Sequence, residues 1–226
     1  MLRDITYIKQ KRDGMCGAAA LAMIYSAFRI PRSQMEIWQR NRVPDGDGGE
    51  FTRTYRLCSD ALEHGLHSIT IRAKDPLHVL DLCKNDGSIG VILNCRENKN
   101  SIRGHYSVVM NITKTHVILN DPFLGSYTRI AKSDLVELLT PMGKECKISG
   151  NVMIAVSNIV SSKTECSTCG AKILSTIKCQ NCDTEIPLQP IAVLGCVDEA
   201  CPERTWQHII CPHCDRDQDT LTRNEG

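Results

Sequence analysis

The sequence predicts an α+β fold: a larger body at residues 1–160, followed by a small metal-binding domain at 161–226. Three observations predict it. Residues 10–28, QKRDGMCGAAALAMIYSAF, read as a loop leading into an alanine-rich helix that opens at Cys16. Residues 104–120 hold two strands joined by a tight reversal. Downstream, eight cysteines fall in four close pairs. The body is then a helix carrying a candidate nucleophile, packed on an antiparallel sheet.

Length and composition set the bounds. With 226 residues and 42% hydrophobic content, the chain can bury a real core in one ordinary domain and still carry an appendage. The opening MLRDITYIKQKRD has no apolar run after its charges, so no secretory signal is expected. No stretch approaches the ~20 apolar residues that span a bilayer, so no membrane partner is expected. Thirteen cysteines without an export signal point to the cytoplasm and, where paired, to metal. The net charge of +1 hides an asymmetry: six basic and ten acidic residues from Ser161 onward leave the tail at −4 and the body at +5. An acidic tail argues against nucleic acid there.

The elements follow in order. Ala18 to Ile24 favour helix and are apolar on all sides, so the first helix is central and buried. Pro31 stops it, and Arg32 to Arg42 form a second, short helix. Val43 to Glu50, VPDGDGGE, reads as a flexible loop. Thr52 to His64 is amphipathic, with Gly65 past its end, and a strand follows at Ser68 to Arg72. Asp75-Pro76 opens a helix, with aspartate as N-cap and proline at N1. Ser88 to Leu93 reads as a buried strand. A hairpin of strands 104–110 and 115–120, centred on Thr113, sets His105 opposite Asp121. Asp121-Pro122 then breaks the ladder. Ala131 to Leu139 form a helix, and Asn151 to Ser157 a last strand.

These placements suggest thiol chemistry. Cys16 opens a buried helix, where unpaired N–H groups and the positive end of the dipole favour thiolate. Its own backbone N–H and the side chain of Gln10 are the candidate donors to an oxyanion. His105 is the candidate base, and Asp121 the group that fixes its ring and tautomer. Asn120 is the alternative orienting group. A small buried hydrophobe is the alternative reading of Cys16. His64, His67, His78 and His116 read as ordinary histidines, and Asp13 and the Gly48-Gly49 loop as solvated. Cys58, Cys83, Cys95 and Cys146 have no partners at metal spacing and read as reduced core residues.

Three segments, QKRDGMCGAAALAM, GHYSVVM and LNDPFLG, together resemble the papain-like bacteriocin-processing peptidases, which cut leader peptides after a double glycine. The resemblance runs over residues 5–158. It implies a papain-like fold and a triad at Cys16, His105 and Asp121, with Gln10 serving the oxyanion hole. It also implies a peptide or protein substrate with a Gly-Gly leader or tail. Many family members are fused to a transporter, and this chain shows no membrane segment. The other function classes are an inactive peptidase-like binding module and a thiol acyltransferase of transglutaminase type.

The tail carries Cys166/Cys169, Cys179/Cys182, Cys196/Cys201 and Cys211/Cys214, with nine residues from the first pair to the second and again from the third to the fourth. The repeat resembles tandem zinc ribbons, with two structural Zn²⁺ ions each held by four thiolates. Sequential pairing is the expected arrangement, first four and then last four. A cross-braced set of Cys166, Cys169, Cys196 and Cys201 is the alternative, and His208 and His213 are spare ligands. Such a tail is expected to recruit a protein partner or substrate.

Overall fold

The computed structural model describes residues 1–46 and 48–218. Among the described residues, five α-helices pack on an eight-stranded sheet, and every pairing in that sheet is antiparallel. Its strands are β3 (His67–Ala73), β4 (Ile89–Arg96), β5 (Gly104–Ile112), β6 (His116–Asp121), β7 (Gly125–Ala131), β8 (Val152–Ser157), β11 (Trp206–Ile210) and β12 (Asp217–Gln218). They lie in the order β12-β11-β3-β8-β4-β5-β6-β7. The α+β class and the nucleophile-bearing helix on an antiparallel sheet are as the sequence predicts.

Alternation along the central strands divides the core in two. Ile92, Val108, Ile154 and Val156 pack towards helices α1 (Cys16–Ala27), α2 (Gln34–Asn41) and α3 (Thr54–Glu63). Val91, Leu93, Met153 and Ala155 pack towards α4 (Pro76–Asn85) and α5 (Lys132–Leu139). Helix α1 is buried from Cys16 to Tyr25, which its all-round apolar sequence requires. Gly90 lets it approach the sheet: a Cβ there would fall 2.6 Å from Ile24 Cδ1. The Asp75 cap forms as the sequence predicts, and Ser33 adds a second. Asp75 accepts from the N–H groups of Leu77 and His78, and Ser33 closes a capping box with Glu36.

Three local expectations change. The expected loop at 43–50 includes a hairpin, β1 (Arg42–Pro44) against β2 (Glu50–Thr52). β7 had no signal, because as an edge strand it lacks a fully buried side chain. The β5–β6 turn centres between Lys114 and Thr115, and a bulge at Met110 shifts the register again. Asn120 therefore pairs with Val108, which sets Asp121 across from Ser107, two residues further along β5 than His105.

The tail is not set apart from the body. β11 extends the main sheet by pairing with β3, matching Ile209 with Ile71. Ile177, Leu188, Val193, Leu194 and Trp206 are buried in the same core as α4 and α5. Residue 160 thus marks a change in sequence pattern but no gap in space. β3 would otherwise be an exposed edge of the sheet, and β11 covers it.

Candidate active site

His105 sits near the start of β5 and Asp121 at the end of β6, both buried. Although they are diagonal, not opposite, His105 Nε2 lies 2.9 Å from Asp121 Oδ2. The same oxygen accepts from Ser107 Oγ at 2.8 Å. Asp121 Oδ1 accepts the backbone N–H groups of Phe123 (2.8 Å) and Leu124 (2.9 Å), because Pro122 turns the chain back over the carboxylate. Burial works against the Asp121 carboxylate, but the His105 bond and charge, the Leu124 N–H and the Ser107 hydroxyl outweigh it and hold its pKa below the ordinary value. Such an anion accepts, so His105 Nε2 donates, and Nδ1 is the ring nitrogen left for the Cys16 sulfur in the same cleft. Burial alone would lower the His105 pKa. The bond to Asp121, with the nearby Cys16 and the Asp121 charge, raises it to about 10.

Cys16 is the first residue of α1 and is 8% exposed. Met15 before it offers no side-chain cap, so the first-turn N–H groups keep the anion-binding character of a helix start. Gly17 lets the β2 strand close on this point, since a Cβ there would meet Thr52 Oγ1 at 2.1 Å. The Gln10 segment is tied to the Asp121 turn from the other side. Gln10 N–H donates to Pro122 O at 3.0 Å, and Tyr7 hydroxyl to Asp121 O at 3.1 Å. Gln10, Cys16 and His105 line one cleft of about 1310 Å³, and Gln10 Oε1 is buried in it without a partner.

Gln10, Cys16 and His105 therefore share one cleft, and Asp121 is joined to them through His105. Asn120 does not join them, because its Oδ1 accepts from Tyr127 N–H at 3.1 Å. His64 is held by Tyr25 and Asp60, away from the cleft. Ser107 and Tyr7 were missed. Ser107 was legible as the residue two positions from His105 on the same strand face, whereas Tyr7 carried no local signal.

Residues 4–140 match the model of the peptidase C39 family. The chain belongs to this family and is a cysteine peptidase. The peptidase domain of Streptococcus ComA, a bi-functional ABC transporter involved in a quorum sensing pathway, shares its fold at 18% identity and TM-score 0.52; the match covers 69% of this chain and 99% of that one. A C39-like peptidase from Bacillus anthracis is similar at 14% identity and TM-score 0.53, over 71% and 96% of the two chains. A double glycine motif protease from an AMS/PCAT transporter, solved with its leader peptide, is similar at 18% and 0.50, over 68% and 91%. No curated protein matches the chain. Among the described residues no helix is long and apolar enough to cross a membrane.

The C39 match ends before the paired cysteines, which gather into two clusters. One is Cys166, Cys169, Cys196 and Cys201; the other is Cys179, Cys182, Cys211 and Cys214. This is the cross-braced arrangement, and the sequential expectation is corrected. Each nine-residue spacer contains a strand, β9 (Thr176–Lys178) or β11. At ~3.3 Å per residue a strand carries the next pair away from the first, so the repeat alternates between sites. The donor set suits a tetrahedral ion. In each cluster all four sulfurs lie within 4.8 Å of one another, and two pairs in each, at 3.5 and 3.8 Å and at 3.6 and 3.8 Å, come near the edge of about 3.8 Å that four Zn–S bonds of ~2.3 Å imply. Backbone N–H groups of Asn181, Asp198 and His213 each point at a sulfur at 3.4 Å.

Proposed function

We propose that this C39 peptidase cuts a peptide or protein substrate after a Gly-Gly motif, with Cys16 as nucleophile, His105 as acid and base, Asp121 as orienting group and Gln10 in the oxyanion hole. The convergence of Cys16, His105 and Asp121, scattered over more than a hundred positions, carries the reading. The Cys16 sulfur attacks the carbonyl carbon, and the C=O electron pair moves onto oxygen. Cys16 N–H and the Gln10 carboxamide hold that oxyanion. His105 passes its proton to the leaving amine as the C–N bond breaks, which leaves a thioester. Water then attacks, His105 takes its proton, and the acid departs with the sulfur free again. Asp121 stays ionised throughout. The family and the leader-bound double glycine protease of the same fold support the substrate class.

Each cysteine cluster suits one structural Zn²⁺, which when bound folds the tail and, with four thiolates, has a closed coordination sphere. Thiol clusters of this kind need a reducing compartment, so we place the protein in the cytoplasm. The tail serves to recruit a partner or substrate.

The test is incubation of Gly-Gly-tailed and Gly-Gly-spanning peptides with wild type and with Cys16→Ala. Wild type should cut after the second glycine, with product masses that add one water, and Cys16→Ala should be slower by ~10⁶-fold. Equal cleavage by both proteins, or none by either, ends the reading.

A further inference from the structure

The cleft that holds Cys16 and His105 is not built by the C39 segment alone, because Ile210 and Asp215 from the cysteine-rich tail also line it. Asp215 follows the cluster residue Cys214 directly. It adopts φ +63°, a left-handed conformation that the 211–214 turn imposes through the Asp215 N–H to Cys211 O bond of 3.2 Å. Its Oδ2 accepts from Arg53 Nη1 at 3.1 Å.

Arg53 stands at the start of α3, and its guanidinium lies 5.9 Å from the Phe51 ring. The next residue, Thr54, has its hydroxyl 2.8 Å from Tyr106 OH and accepts from Asn94 Nδ2 at 3.2 Å. Tyr106 OH donates to Thr52 O at 3.3 Å, and Tyr106 is the neighbour of His105 on β5. Phe51, Thr52, Arg53, Thr54, Asn94 and Tyr106 all line the cleft. An unbroken run of contacts thus joins the second cysteine cluster to the cleft wall beside the candidate catalytic histidine.

We propose that Arg53 and Asp215 are positioning residues of the peptidase: the pair clamps the 51–54 wall against the second cysteine cluster, so that the cleft grips an extended peptide only when that cluster is closed on its metal. The proposal rests on the peptidase reading above. The tail is then a working part of the substrate cleft as well as a docking module. Four thiol groups without an ion have no reason to hold the 211–214 turn, and Asp215 would lose its place opposite Arg53.

The experiment uses the full-length, metal-loaded protein and two reagents that alkylate Cys16. Iodoacetamide reports the reactivity of the sulfur, and a peptide chloromethyl ketone ending in Gly-Gly reports the sulfur and the grip of the cleft together. Arg53→Ala touches no cysteine ligand and should keep two metal ions per chain. Its rate with the peptide reagent should fall about fivefold further than its rate with iodoacetamide, as fits a partly exposed ion pair. The charge-swapped double variant R53D/D215R should recover most of that ratio, which a merely structural role would not. Cys179→Ser should lose one ion and show the same selective fall, and if it fails to fold, Arg53→Ala still decides. An equal change with both reagents, or no change, overturns the proposal, as does a swap no better than the single variant. A wild-type Cys16 that reacts with iodoacetamide no faster than Cys58 signals instead that the peptidase reading has failed, and this proposal falls with it.

Discussion

Asp121→Asn is the sharpest test of the candidate triad, because the change is isosteric and removes only charge and acceptor capacity. The native carboxylate accepts four hydrogen bonds, two at each oxygen. An amide has one acceptor end and one donor end. If its oxygen stays with the Phe123 and Leu124 N–H groups, its NH₂ confronts His105 Nε2. The ring must then carry its proton on Nδ1, the wrong tautomer for Cys16, and the rate should fall by roughly 10⁴-fold. If the amide flips to serve His105, two backbone donors face an NH₂, at roughly 1 kcal/mol or more each, so stability falls by about 2 kcal/mol. Either way the His105 imidazolium loses the Asp121 charge, and in the first case the hydrogen bond as well, so its pKa moves down from about 10 towards the ordinary 6.5. In wild type, activity should hold at alkaline pH until the imidazolium is lost near pH 10; in the variant the alkaline limb should appear near neutrality. Stability gives the matching sign. The raised His105 pKa contributes fully below 6.5, and that contribution fades as pH climbs to about 10. The depressed Asp121 pKa contributes above 3.8 and is lost as pH falls through it. The assay is kcat/KM from pH 4 to 10.5, with iodoacetamide inactivation over the same range and urea unfolding at three pH values. A variant with wild-type rate and an unmoved alkaline limb would refute the orienting role of Asp121.

Three further outcomes follow from the geometry. Gln10→Ala should lower kcat by ~10²–10³-fold with little change in the iodoacetamide rate, which separates an oxyanion donor from a packing residue. Native mass spectrometry should find two zinc ions per chain. Cys169→Ser and Cys196→Ser should lose the same ion, and their double variant should lose no more; additive losses would restore the sequential pairing. Trp206→Ala should destabilise the whole protein, body included, by about 3–5 kcal/mol in a single urea transition. Trp206 is fully buried in the core shared with α4 and α5, and two separate transitions would mean the tail folds by itself.

Local chemistry made much of this protein readable from its sequence. The Ala18–Ile24 run could only be a buried helix, so Cys16 had to open it; Asp75-Pro76 had to begin another. Two strands around a tight turn had to bring His105 and Asp121 to one end of a sheet, and four close cysteine pairs had to hold metal-sized clusters. Each conclusion needs only periodicity, capping or spacing, which act over a few residues. Tertiary structure decided the rest, because it depends on which distant surfaces meet. Local patterning could not count the bulge at Met110 or the true turn centre, so the His105–Asp121 contact came out diagonal, with Ser107 as an added donor. The nine-residue spacing of the cysteines fits either pairing; strands β9 and β11 chose between them by holding successive pairs apart. Nor did the pattern of β11 name its neighbour. The open edge of β3 and the buried face of Trp206 did, and they made the tail part of the sheet and of the cleft.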